Sequence, residues 1–239
     1  MTSARGISVE VAGAAVSALL VRPPDASALL VLGHGAGAGM RHVFMEEIAE
    51  LLAERGVATF RYQFPYMEAG RRYPNPQRIL TATVRRAVAA AHEAAPDLPL
   101  FAGGKSMGGR MTSLAAADAP LADVRGIAFL GFPLHGIGKP PGIERSEHLH
   151  RVELPLLFVQ GTRDRLANLD FLRPVVERLG SRATLHVVEG GDHSFKVLKR
   201  SGRTPEEVMA EVADAVAGWI RAMPSIEPHE TPRQSVAKP

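Results

Sequence analysis

The 239-residue chain has no cysteine. That one absence excludes disulfides, thiolate metal centres and a cysteine nucleophile. Aromatic residues are scarce, at 5% with a single tryptophan, too few for a base-stacking nucleic-acid platform. An excess of one charge is also missing. The 28 Lys and Arg face 25 Asp and Glu, and a formal net charge of +3 leaves no electrostatic footprint for nucleic acid. Long hydrophobic runs are absent too: the apolar stretches are of strand length, short of the ~20 residues that cross a bilayer. Residues 1–10 lack a charged-then-apolar leader pattern. The expectation is a cytoplasmic protein with no membrane or nucleic-acid partner.

What is present is an ordinary globular composition, 46% apolar and 22% charged, on a chain long enough to bury a full core without staples. Strand-like and helix-like segments alternate. Residues 7–11 and 16–21 read as a hairpin around Gly13, buried strands are expected at 28–32 and 57–60, and further strands at 98–102, 124–130, 154–160 and 183–188. Helical spacing marks 42–55, 77–95, 107–117, 166–179 and 206–223, with irregular loops at 63–76 and 132–149. This order predicts an α/β fold: a mostly parallel, eight-stranded twisted sheet with helices on both faces and no large cap. One domain is expected over 1–223. Residues 224–239 carry four prolines without apolar periodicity and read as a disordered tail.

In such a sheet, function collects in the loops at the carboxyl ends of the strands. Gly104-Lys105-Ser106-Met107-Gly108 falls in one of them, between a strand and a helix. G-x-S-x-G there puts a serine on a sharp turn, with glycines removing side chains that would clash. A serine hydroxyl needs a base near neutral pH. His193, in Glu189-Gly190-Gly191-Asp192-His193-Ser194-Phe195, follows the last strand and is the best candidate of nine histidines. The base needs a carboxylate to fix its tautomer. Asp164 follows the strand at 154–160 and leads over Asp170 and Asp192, although a helix N-cap is its competing role. The backbone N–H groups of Met107 and Ala36 are the candidate oxyanion donors, with Gly37 close behind Ala36, and His34 is expected to order their turn.

Other patterns fit less well. Gly33-x-Gly35-x-x-Ala38 mimics a dinucleotide-binding turn, but the next strand ends near Arg61 without the acidic residue a ribose requires. Pro99 stands where a phosphate loop ending in Gly104-Lys105-Ser106 needs glycine. His135, His148 and His150 lack firm metal-ligand spacing, so no metal or cofactor is expected. Arg71, Arg72, Arg78, Arg85 and Arg86 read either as a solvated face or, through Arg71 and Arg72, as contacts to an acidic substrate group. Phe64, Tyr66, Phe132, Leu134 and Ile137 are expected to line the pocket, with His135 as a further substrate contact.

Together these segments resemble the α/β-hydrolases, and within them the dienelactone-hydrolase-like proteins. The nearer resemblance is to the branch of the hydrolase-like regulatory subunit of the NSL histone-acetyltransferase complex. It rests on residues 33–40, on Arg61-Tyr62-Gln63-Phe64-Pro65, on 103–111, on the Gly-Phe-Pro-Leu-His-Gly-Ile-Gly-Lys-Pro run at 131–140, on 160–164 and on 190–195. It spans about residues 5–223. The resemblance implies a triad in the chain order Ser106, Asp164, His193. With a serine nucleophile and no room for a large cap, the expected substrate is a small ester or thioester. Dienelactone hydrolases use a cysteine nucleophile, so that particular activity is not implied. A catalytically silent interaction scaffold on the same fold is the alternative. The oligomeric state, monomer or homodimer, is left open.

Overall fold

The structure is a computed structural model that describes residues 3–224. The expected tail lies outside the described residues, apart from Pro224. Eight strands form one sheet: β1 (Arg5–Val11), β2 (Ala14–Val21), β3 (Ala28–Gly33), β4 (Val57–Tyr62), β5 (Leu100–Lys105), β6 (Val124–Leu130), β7 (Leu156–Gly161) and β8 (Ala183–Val188). Their spatial order is β1-β2-β4-β3-β5-β6-β7-β8. β1 and β2 are antiparallel to each other, β2 is antiparallel to β4, and every later pairing is parallel.

Alternation along β3 shows why both faces are covered. Leu29 and Val31 pack on one face, in a cluster with α3 (Gln77–Ala94) and α4 (Met107–Asp118). Ala28, Leu30 and Leu32 pack on the other, against α1 (Val43–Ala53) and α6 (Pro205–Ala222). A third cluster seats α5 (Leu169–Leu179) on β6 and β7 through Leu172, Val175, Phe129 and Phe158. A strand buried on both faces needs an apolar residue at every position rather than at every second one, and β3 supplies it.

Several boundaries differ from the sequence expectation for physical reasons. β5 runs three residues further, through Gly103 and Gly104, which look like turn residues in the sequence. A Cβ on them would lie 2.0 Å from the Ala128 carbonyl oxygen and 2.2 Å from that of Gly33, so their bareness lets three central strands close up. α5 starts at Leu169, because Asn168 accepts the Asp170 N–H and caps it. The loop at 63–76 contains the short helix α2 (Pro65–Glu68), and the loop at 132–149 ends in a 3-10 turn over Glu144–Arg151. That turn is pinned by His148, whose Nε2 lies 2.7 Å from Ser113 Oγ on α4. Among the described residues, no helix is long and apolar enough to cross a membrane.

The chain runs from β3 to β4 on one side of β3, then crosses to β5 on the other. This reversal opens a crevice beyond the carboxyl ends of β3 and β5. Gly33 pairs with Gly104 at that edge, so the turns after both strands face each other.

Candidate active site

Ser106 sits between β5 and α4 with φ 49° and ψ −110°, a strained conformation for a residue with a side chain. The close approach of α4 to β3 requires it. A Cβ at Gly108 would lie 2.1 Å from the Gly33 carbonyl oxygen, so the helix start and the strand end touch backbone to backbone. The Ser106 side chain makes no cap bond to its own helix. Its Oγ lies 2.8 Å from Nε2 of His193 instead. Nδ1 of that imidazole lies 2.7 Å from Oδ2 of Asp164.

The Asp164 side chain is wholly buried. Its Oδ1 accepts the Leu166 N–H at 2.8 Å, and its Oδ2 also accepts from Nε2 of Gln160. The competing cap role is therefore present as a turn bond, while Asn168 caps the helix. Gln160 was missed in the sequence. Its Oε1 accepts the Phe132 N–H, so it ties the loop after β6 to Asp164. The rival Asp192 folds its own loop, with Oδ1 accepting the N–H groups of Ser194 and Lys196. That loop reaches Asp164 because Gly161 is bare: a Cβ there would lie 2.2 Å from the Gly191 carbonyl oxygen.

His34 is fully buried and orders the turn after β3, as expected. Its Nδ1–H donates to the Gly35 carbonyl and its Nε2 accepts the Phe64 N–H. Burial pushes its pKa down to about 4, so it stays neutral as that pattern demands. In the same turn the Gly37 N–H donates to Tyr66 Oη at 2.9 Å. Among the described residues, the N–H groups of Ala36 and Met107 have no partner. Tyr66 thus separates the two candidates: Gly37 is engaged and Ala36 is free.

The expected pocket wall needs correction. Phe64, Tyr66, Phe132 and Leu134 are core residues. α2 turns Phe64 inward against His34 and Tyr62, while Phe132 packs on Phe129 and Phe158. Only Ile137 of that set lines the cleft at Ser106, a 460 Å³ cleft also walled by Val43, Phe44, Phe195 and Met209. Arg71 and Arg72 do not reach it. Both are exposed, and the Arg72 guanidinium rests 5.8 Å from the Tyr73 ring centroid. Their neighbours Arg85 and Arg86 hold main-chain carbonyls, of Ala119 at the end of α4 and of Glu10 on β1. His135 faces the next depression, beyond Ile137, where its carbonyl accepts from Arg145. Among the described residues, no group of three His, Asp or Glu could hold a metal ion.

A family model described as an alpha/beta hydrolase domain matches residues 26–221. The chain belongs to that family. Solved structures similar to this hydrolase domain include a dienelactone hydrolase from Anabaena variabilis, with a TM-score of 0.75 at 21% identity over 94% of this chain and 99% of that one. An alpha-beta serine hydrolase homologue from Coxiella burnetii gives 0.72 at 17%, over 92% and 98%. A member of the α/β serine hydrolases without a lid, from Xanthomonas campestris, gives 0.71 at 16%, over 95% and 98%. At these identities the likeness carries the fold. Among the described residues, the insertions at this edge of the sheet are the short helix α2 and 3-10 turns over Glu144–Arg151 and Lys199–Ser201, which agrees with an architecture that has no large cap.

Proposed function

We propose that this hydrolase-family protein is a serine hydrolase that cleaves a small carboxylic ester or thioester through an acyl-enzyme. The observation that carries the reading is the unbroken hydrogen-bond chain from Asp164 through His193 to Ser106, at 2.7 and 2.8 Å. Ser106 Oγ attacks the acyl carbon while His193 Nε2 takes its proton. The carbonyl oxygen, now an anion, is held by the N–H groups of Ala36 and Met107. The C–O or C–S bond breaks as the imidazolium returns the proton to the leaving alkoxide or thiolate. Water then attacks the acyl carbon with the same histidine as base, and Ser106 leaves with its proton restored. Asp164 holds the tautomer and stabilises the imidazolium throughout.

The apolar wall of Val43, Phe44, Ile137 and Met209 suits a short hydrocarbon group on the substrate. The segments at 103–111 and 131–140 support placement in the branch of the NSL regulatory subunit. Short apolar runs support a cytoplasmic location for the enzyme.

A fluorophosphonate probe tests this directly. Native protein is expected to be labelled at Ser106, and heat-unfolded protein to remain unlabelled. Native protein as inert as unfolded protein favours the interaction scaffold. The oxyanion assignment has its own test. Ala36→Pro deletes one amide while leaving the Gly37–Tyr66 bond its donor, and turnover of 4-nitrophenyl acetate is expected to fall about 10²–10³-fold. An unchanged rate removes Ala36 from the site.

A further inference from the structure

The residue before Ser106 is a lysine, and no step of acyl transfer uses it. Lys105 ends β5 with its side chain in the floor of the cleft, 8% exposed. Its Nζ donates to the backbone carbonyl of His193. The same Nζ lies 5.8 Å from the ring centroid of Phe44 and 5.6 Å from that of Phe195, two rings stacked at 6.0 Å. The opposite wall is bare: a Cβ at Gly131 would lie 3.0 Å from Lys105 Nζ, 3.3 Å from the His193 oxygen and 3.5 Å from His193 Cε1. Gly131 (φ +73°) therefore leaves room for the ammonium and the imidazole side by side.

We propose that Lys105 is a positioning residue: its ammonium grips the His193 carbonyl and thereby sets the imidazole over Ser106. The proposal rests on the serine-hydrolase reading of that pair. A buried ammonium among phenyl rings is costly, and an apolar side chain would fill the same slot without that cost. The charge has work that packing alone does not require. The His193 loop is tied to the end of β7 before the histidine, where the Gly191 carbonyl accepts the Arg163 N–H and the Gly190 N–H donates to Thr162 Oγ1, and Phe195 is buried after it; between these anchors it is Lys105 that holds the His193 carbonyl. The charged and titratable groups around the slot are Asp164 after β7, Asp192 and Lys196 after β8, and His42 and Glu47 on the α1 wall. Asp164 and Asp192 favour the ammonium, but burial outweighs them and lowers Lys105 to about 8. The ammonium is thus lost progressively as the pH rises through about 8, and the grip weakens with it.

The absence of native cysteine makes a chemical test available. Lys105→Cys introduces the sole thiol, at a position that lines the floor of the cleft. Its kcat on 4-nitrophenyl acetate is expected to fall by up to about 10²-fold, the scale for a small misplacement of a reacting group, with KM little changed. Alkylation with 2-bromoethylamine rebuilds an ammonium of nearly lysine length and restores kcat. An alkaline decline is expected in the wild type as the Lys105 ammonium loses its proton, and because the sulfur makes the rebuilt amine more acidic, that decline is expected at lower pH after aminoethylation. Alkylation with 1-iodopropane leaves a neutral chain of similar length with no donor and restores nothing. Lys105→Met, which suits the phenyl walls, shows the same loss if the thiol variant does not fold.

One readout needs no turnover. The downfield proton signal of His193 Nδ1–H against Asp164 is expected in the wild type, lost to exchange in Lys105→Met and in the thiol variant, and regained after aminoethylation. Full kcat in both variants, equal rescue by the neutral adduct, or an unchanged imidazole proton signal overturns the proposal. A wild type that neither hydrolyses ester nor takes the fluorophosphonate refutes the hydrolase reading, and the proton signal alone then decides the role of Lys105.

Discussion

Asp164→Asn is expected to lower turnover of 4-nitrophenyl acetate about 10⁴-fold with the fold intact. Three donors converge on this carboxylate: His193 Nδ1 and Gln160 Nε2 on one oxygen, the Leu166 N–H on the other. A carboxylate accepts all three, and an amide accepts on one side only. If the amide oxygen faces His193, the tautomer survives but the negative charge that stabilises the imidazolium is gone. If the amide nitrogen faces His193, the imidazole must accept at Nδ1. Its Nε2 then carries the proton and points a donor at Ser106, which leaves the serine without a base. Each orientation also abandons one buried donor, at Leu166 or at Gln160, a cost of about 1–3 kcal/mol. Ser106→Ala removes the nucleophile itself and is expected to cost about 10⁶-fold, with the double variant no slower. Steady-state rates on purified variants check the order. An Asp164→Asn enzyme within tenfold of wild type would exclude the relay.

The three hydrogen-bonded residues were legible because each stands in the loop beyond the carboxyl end of a strand, buried for β5 and β7 and at the sheet edge for β8. Hydrophobic runs fix where β5, β7 and β8 end, and polar residues in the next loop must then share one edge of the sheet. The cleft wall was not legible. Phe64, Tyr66 and Phe132 look the same in sequence whether a loop turns them toward solvent or toward the core. α2 and the aromatic stack on Phe129 decide it, and both are tertiary. The wall-forming residues Phe44, Phe195 and Met209 sit on helical faces or in the histidine loop, where apolar spacing says only that they are covered. Gln160 and Lys105 carried a fainter signal: a polar side chain at the last positions of an otherwise apolar strand. Such a residue is buried by its neighbours and must find a partner, and both find one in the triad.

Gly108→Ala is expected to be among the most damaging single-methyl changes in the described residues. By helix propensity alone it should help, since alanine gains about 1 kcal/mol over glycine inside a helix. Sterics oppose this. The new Cβ would lie 2.1 Å from the Gly33 carbonyl oxygen, 2.3 Å from its carbon and 2.8 Å from its Cα. These atoms belong to the central strand β3, which is paired on both sides with β4 and β5, so no flexible side chain can yield. α4 must move off the sheet, carrying Ser106 with it. Overpacking costs ~1–3 kcal/mol where neighbours can adjust, and here the upper end or beyond is expected. For a domain of this size ~3 kcal/mol corresponds to a fall in Tm of roughly 6–12 °C. Gly218→Ala in α6 is the matched control, with nothing within 4 Å of its added Cβ. There the propensity gain stands unopposed, and Tm is expected to rise by a few degrees. Calorimetry on the pair separates the two effects. Equal shifts would mean that the Gly33–Gly108 contact does not set the position of the serine, and opposite shifts mean that it does.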